Sequence, residues 1–418
     1  MNKAFKLLFA LLISLPGLAQ NSDSARWDRF KNQFDNPFKK IEAARIIGFQ
    51  SNTMLSANRI SNNFIYPFVF GKKLEKETID NMLDNSKNKL LNIETNNELR
   101  FVNLEKNLFK KPTLNWYIKG GTHRRTFVNA TNDAATLVFR GNTGSSSFQF
   151  DNCNYYNLQL NKIGVGLFHH NEKTARPYNL SFGLFVIQAL NYASIKTYQQ
   201  NFLKGNEDSF NIGINYDAAF ASADAFGANG MGLGGELIFN QKINNKSIWG
   251  FRLENFGFAR FNESTTTYTG FGQYKFDGVF IAEIGRLNEE NYFQNRLDSF
   301  TNPFTNKKEN QTKTVWIAPS SFVYYTIHSK RNYYQIGLRH SGTKALPVAE
   351  FRYFTFVKPK LIVGATAGAI GQYYLNTDIN WAINRQWFFQ AAIYHVEAIA
   401  LPKTFGGLGG GFGLQFVF

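Results

Sequence analysis

The sequence predicts an all-β fold, a transmembrane antiparallel up-and-down β-barrel of about 14 strands, with short helical segments near the N-terminus and in a plug-like insertion. Three observations predict it. The chain opens on an export leader, apolar and polar residues alternate along most of the remaining chain, and the last residues form a strand ending in phenylalanine.

The leader comes first. Lys3 and Lys6 give a positive start, Leu7 to Leu15 a short apolar stretch, and Gly17 and Ala19 the small residues a signal peptidase requires. Cleavage after Ala19 is expected, and no cysteine at the cleavage point offers a lipid attachment site. The apolar stretch is too short to cross a bilayer as a helix. Residues 1–19 thus read as a signal peptide, 20–43 as a periplasmic or plug segment, and 44–418 as the barrel with a helical insertion near 72–92. The expected location is the outer membrane.

Alternation is the second observation. Phe210, Ile212, Ile214 and Tyr216 oppose Asn211, Asn215 and Asp217, and Leu180, Phe182, Leu184 and Val186 oppose Ser181 and Gly183. Trp249, Phe251 and Leu253 oppose Arg252 and Glu254, while Leu233, Leu237 and Phe239 oppose Glu236. Phe351 and Tyr353 oppose Glu350 and Arg352, and Leu375, Ile379, Trp381 and Ile383 oppose Asn376, Asp378 and Asn380. A period of two is a strand with unlike faces. The chain is 16% aromatic, with 43 Phe, and the aromatics cluster near strand ends, where a lipid-facing strand meets the headgroups. Downstream of the leader no apolar run is long enough for a spanning helix.

The third observation is the C-terminus. Phe412, Leu414, Phe416 and Phe418 fall on one face of the closing strand, opposite Gly411, Gly413 and Gln415. Closure is required in hydrocarbon, which offers an unpaired strand edge no partner. Short polar turns are expected at Ile243–Lys246, Ser329–Asn332, Lys358–Lys360 and Asn384–Gln386, with longer connections at Ser222–Gly230, Leu287–Lys313 and Val396–Gly407. The glycine run Gly406–Gly413 is read as a loop entering the last strand.

Two segments break the two-residue rhythm. Trp27, Phe30 and Phe34 are helically spaced before Pro37, and so are Leu74, Ile79, Met82, Leu83 and Leu90 within the charged stretch Lys72–Asn92. They could plug the lumen, lie on a rim or meet a partner.

Loss of Lys3 and Lys6 with the leader lowers the formal charge from +16 to +14. The basic residues are scattered and export removes nucleic acid from reach. The expected partners are outer-membrane lipid and lipopolysaccharide, the barrel-assembly machinery during insertion, and an envelope protein. The single cysteine, Cys153, excludes internal disulfides and is assigned no chemistry.

The order of features also resembles a family of Bacteroidota-type outer-membrane β-barrels. The matching pieces are Arg140-Gly141-Asn142, Tyr155-Tyr156-Asn157-Leu158 leading into Gly164-Val165-Gly166-Leu167, and Gly232-Leu233-Gly234-Gly235-Glu236-Leu237. They continue with Leu253-Glu254-Asn255-Phe256-Gly257-Phe258, Phe276-Asp277-Gly278-Val279, Ala318-Pro319-Ser320, Leu375 to Asn380, and the Phe418 end. Glu254 stands where the resemblance leads one to expect aspartate. It implies an outer-membrane barrel and names no substrate or reaction.

Candidate functional residues come from the polar faces. Glu236, Arg252, Glu254, Arg339, Glu350, Arg352 and Asp378 are expected to line the lumen, where they either sort solutes by charge or satisfy one another. His169-His170 is read as a polar turn, and His123 is given no role. No serine and histidine stand at a recognisable catalytic spacing, and no nucleophile elbow, phosphate loop, metal set or cofactor motif is found. The leading expectation is a passive channel or transporter for a small or amphiphilic solute, not an enzyme. The alternative is a non-conducting scaffold that docks envelope partners.

Overall fold

The computed structural model describes residues 45–84, 88–103, 114–141, 147–171, 174, 176–205, 210–221, 227–244, 246–276, 307–329, 332–340, 347–358, 360–369, 373–384 and 386–418. The expected leader, the segment 20–43 with its helical spacing, and most of Leu287–Lys313 lie outside them.

Strand β1 (Arg45–Asn58) leaves the rim that holds both ends of the described chain. Helices α1 (Asn62–Val69) and α2 (Lys76–Leu83) follow at the far rim before β2 (Lys89–Asn103) returns. Next come β3 (Leu114–Ala130), α3 (Asn132–Arg140), β4 (Ser147–Gln149), β5 (Asn154–Asn171) and β6 (Tyr178–Thr197). The middle of the chain adds β7 (Phe202–Gly205), β8 (Phe210–Ala221), β9 (Gly230–Asn244) and β10 (Ser247–Phe261). It continues with β11 (Thr266–Phe276), β12 (Lys307–Asn310), β13 (Lys313–Ile317) and β14 (Ser320–Ser329). The C-terminal part is β15 (Asn332–His340), β16 (Val348–Lys358), β17 (Leu361–Ala369), β18 (Tyr374–Ala382), β19 (Trp387–Tyr394), α4 (Val396–Ala400) and β20 (Gly406–Val417).

Fourteen of these strands form a closed antiparallel ring, β1–β2–β3–β5–β6–β9–β10–β14–β15–β16–β17–β18–β19–β20 and back to β1. The closing pair runs from Ile46 opposite Val417 to Ala57 opposite Gly406. Arg45 and Phe418 then exchange both backbone bonds at 3.0 Å, so pairing extends to the last residue. The remaining strands build outward from the far rim. The end of β6 pairs with β8, which carries β7 and β11, while β4 joins β7 and β12 joins β11. Strand β13 continues the β10 ladder above β14.

The outer face of the ring is apolar, with Leu99, Ile118, Val165, Leu184, Leu233, Val323, Ile336, Phe351, Ile379, Phe412 and Leu414 all exposed there. Below them, toward the rim of the termini, runs a girdle of aromatics. Phe101 meets Trp116 at 5.6 Å, Trp249 meets Phe239 at 5.2 Å, Tyr334 meets Tyr353 at 5.3 Å, and Trp387 meets Phe416 at 4.6 Å. An apolar belt above an aromatic girdle is the surface a bilayer selects on a barrel, and the chain crosses the membrane with its strands. No helix among the described residues is long and apolar enough to do so.

Short turns sit at the rim of the termini. Asn244 accepts a bond from the Lys246 amide at 2.8 Å, and Asn384 accepts from the Gln386 and Trp387 amides at 2.9 Å each. These side chains stand in for the backbone acceptor of a tight turn. At the far rim α1, α2 and α3 pack through Phe64, Met82, Leu83 and Ala135, and Arg140 bonds Asp80 at 2.5 Å. Thr131 caps α3 by accepting from the Ala134 amide at 3.1 Å.

Four expectations are corrected. The helical insertion is shorter than residues 72–92: α2 spans Lys76–Leu83, and Leu90 already belongs to β2. The alternating run at Phe210–Tyr216 lies on β8, outside the ring, because a two-residue period marks any sheet with unlike faces. Gly406–Gly413 is the first part of β20, not a loop. His169 and His170 are strand residues near the end of β5, opposite Leu180 and Asn179.

Candidate functional site

The lumen is built from the alternate residues of each stave, and its character changes from apolar to polar on going from the rim of the termini toward the far rim.

The lowest layer is apolar. Ile46, Ile362, Ala382, Phe388 and Val417, with Val102, Phe354 and Phe356 against them, face inward from the strand ends that meet there. Above it the lumen divides. On the side of β2, β3, β6 and β9, charged groups interlock. Lys119 Nζ lies 2.6 Å from Glu98 Oε2 and 2.7 Å from Glu236 Oε2. Arg100 bonds Glu98 at 2.9 Å, and Tyr117 donates to Glu236 at 2.7 Å. Lys162 reaches Asn255 at 2.7 Å. Asn255 has φ 58° and sits at the bulge between Leu253 and Phe256, which turns its amide toward Lys162.

On the opposite side stands a second knot. Glu350 accepts from Arg339 and Tyr374 and from Arg352 at 2.8 Å, and the two guanidiniums lie 4.5 and 4.9 Å from the Phe322 ring. Glu98, Lys119, Glu236 and Glu350 are all buried. Buried ions of this kind persist because every partner is present.

Between the two knots lies a cavity of about 400 Å³. Its floor is Ile248, Phe354 and Ile362, and Ala392 adds apolar wall. The rest is polar: Arg252, Arg352 and Asp378 carry charge, and Asn240, Tyr324, Thr326, Gln335, Thr366, Asn376, Asn380, Gln390 and Tyr394 carry amides and hydroxyls. Gly364 makes room at this level, since a Cβ there would stand 2.5 Å from an Asp378 oxygen. Arg252 is exposed to the lumen and leans over Tyr324 at 5.7 Å. Among the described residues no carboxylate stands within ion-pair distance of it, and Glu254, two residues along the strand, attracts it from further off.

Of the residues the sequence placed in the lumen, Arg339, Glu350 and Arg352 come together, and Arg252, Arg352 and Asp378 share the cavity. Glu236 belongs to the other knot. Glu254 lies in the same bulge as Asn255, is half-buried, and attracts Arg100, Lys162, Arg252 and Arg339 without standing at ion-pair distance from any of them. On β20, Phe412, Leu414 and Phe418 face outward, and Phe416 stacks within the girdle.

Sequence reasoning missed Lys119, Tyr117, Glu98 and Arg100, since no stretch of chain brings β2 and β3 next to β9. It also missed Ser56, His395 and Glu397. Ser56 Oγ lies 2.8 Å from His395 Nε2, and His395 Nδ1 lies 2.9 Å from Glu397 Oε1. The atoms are ordered as in a nucleophile–base–acid relay. Their surroundings are those of a fastening. His395 is 2% exposed, its ring packs against Gly407, its amide donates to Asn376, and Ser56 is not on the cavity wall. The trio pins the connection from β19 through α4 onto β1.

No family model and no curated protein matches the chain. Solved structures that it resembles include a TodX monoaromatic hydrocarbon channel with the deltaS2S3 mutation, at 10% identity over 90% of this chain and 91% of that one, TM-score 0.47. The toluene transporter TbuX of Ralstonia pickettii aligns over 93% of both chains at 7% identity, TM-score 0.45. A Pseudomonas aeruginosa FadL homologue covers 97% of this chain and 96% of its own at 8% identity, TM-score 0.43. The transmembrane barrel rests on the chain's own closed ring and apolar belt.

Proposed function

We propose that the protein is an outer-membrane channel or transporter that passes a small or amphiphilic solute without chemical change. The observation that carries this reading is the cavity of about 400 Å³ inside the ring, with an apolar floor, a polar wall and an arginine exposed within it. That size is that of small-molecule sites. The short turns then face the periplasm and the helical cap faces outward, as the positions of the termini and the long excursions favour.

The scaffold reading draws on a different observation, the two interlocked charge knots and the apolar layer beneath them. Single-channel recording in planar bilayers separates the two. Discrete conductance steps from purified, heat-modifiable protein support transport. Folded protein that never conducts, and that gives vesicles no permeability to small sugars or carboxylates, supports the scaffold.

A further inference from the structure

The wall of the cavity says what kind of solute suits it. Its hydrogen-bonding groups divide into those already committed and those still available. Asn240 accepts from Tyr324, Gln335 donates to Thr326 at 2.9 Å, and Asn380 donates to Asp378 at 2.9 Å. Thr366 and Gln390 have no side-chain partner of this kind among the described residues, and the Arg252 guanidinium has the Tyr324 phenol beside it and no carboxylate at ion-pair distance. All three line the same cavity.

The charges divide in the same way. Arg352 and Arg339 are both bonded to Glu350, and Asp378 stands on the same wall as Arg352. That leaves Arg252 with no carboxylate at ion-pair distance among the described residues; Glu254, two residues along the strand, attracts it from further off and does not occupy its donors. A guanidinium in this state presents a planar fork of donors matched to a carboxylate.

A hydrocarbon solute would displace water from Arg252, Thr366 and Gln390 and return no hydrogen bonds, which is costly for an amide and prohibitive for a cation. A neutral sugar would satisfy the hydroxyl and amide groups and leave the guanidinium to water. A cationic solute would meet Arg252 and Arg352 at once. Resting on the channel reading, we infer that the cavity takes a polyhydroxylated solute with one negative charge, a sugar acid, whose carboxylate is recognised by Arg252 and whose hydroxyls meet Thr366 and Gln390.

The test is uptake of four labelled solutes of similar size into proteoliposomes: D-glucuronate, D-glucose, D-glucosamine and hexanoate. Glucuronate is expected to enter about tenfold faster than glucose, the worth of one charge-assisted hydrogen bond. Arg252→Gln brings glucuronate down to the glucose rate, while Arg252→Lys, which keeps the charge, retains most of the preference. Heat-modifiable migration confirms that each variant is folded. Glucose or hexanoate entering as fast as glucuronate overturns the inference, and so does a preference that survives Arg252→Gln. If no solute enters and no conductance is seen, the channel reading fails. Calorimetric titration of the detergent-solubilised barrel with D-glucuronate then decides the inference by itself: saturable binding lost in Arg252→Gln upholds it, and no binding ends it.

Discussion

Arg252 and Arg352 face the same cavity, yet they differ in what holds them. Arg252 stands in open lumen beside a phenol, whereas Arg352 bonds Glu350 and shares it with Arg339. Arg252 leaves no ion-paired carboxylate behind when it is replaced, so Arg252→Gln should move the unfolding free energy by no more than about 0.5 kcal/mol. Arg352→Gln leaves Glu350 buried with one cation fewer and should cost about 1–3 kcal/mol. Lys119→Met is more severe, because two buried carboxylates, Glu98 and Glu236, then face each other unbridged. That variant should lose about 3–5 kcal/mol. Urea midpoints in detergent, followed by Trp fluorescence, rank the three, and equal losses for Arg252→Gln and Lys119→Met would contradict this partition. Which charges point inward was legible in the sequence, because direction follows from a period of two. Which charges meet was not. Lys119 reaches Glu236 from β3 to β9 with β5 and β6 between them in the ring, and no local pattern encodes a contact across a lumen.

Element by element, the closing strand is the most legible, because its outward face is apolar at every second residue up to the chain end. Leu414 faces lipid and pairs between Phe49 and Phe389, while Gln415 points inward beside Gly48. An arginine at Leu414, one outward position inside the girdle residue Phe416, should cost up to about 2 kcal/mol, between the interface and midplane values. The same substitution at Gln415 should be far milder, and reversed ranks in urea titrations of vesicle-inserted protein would mean the faces are misassigned. Deleting Phe416–Phe418 removes the pairing with Arg45 and Ile46 and should abolish accumulation of folded barrel in the outer membrane, read as heat-modifiable protein in membrane fractions. The glycines of β20 misled the reading because glycine usually signals a loop. Here Gly407 is required by the close approach of the His395 ring, which an added Cβ would overlap. The Ser56–His395–Glu397 fastening lay beyond reach for another reason: Ser56 and His395 are 339 residues apart and meet only because β20 closes on β1. His395→Ala leaves Ser56 and Glu397 without the imidazole and should destabilise by about 1–3 kcal/mol. Protease should then cut residues 395–405 faster than in the wild type, while an unchanged cutting rate would show that the trio does not hold this connection down.

At the scale of the whole molecule, the ring of fourteen strands matches what the alternation implied. The outward flap of β4, β7, β8, β11 and β12 does not follow from it, since a period of two reports a half-buried strand and not the sheet it joins. The stacking of layers in the lumen has a functional consequence. Anything that leaves the cavity toward the rim of the termini must pass the apolar layer of Ile46, Ile362, Ala382, Phe388 and Val417. Apolar constrictions stop ions and hydrated solutes by dewetting, without a moving part. If this layer is the barrier, making it wettable should raise permeability and leave the preference set by Arg252 above it intact. Ile362→Thr with Phe388→Thr tests this, because both side chains face inward at the layer. Single-channel conductance should rise several-fold, on the order of what removing a dewetted constriction allows. The double variant also loses buried apolar contact at two sites, so its unfolding midpoint should fall while heat-modifiable migration persists. A folded double variant that conducts no better than the wild type would place the barrier elsewhere, and the cavity would then communicate with solvent by another path.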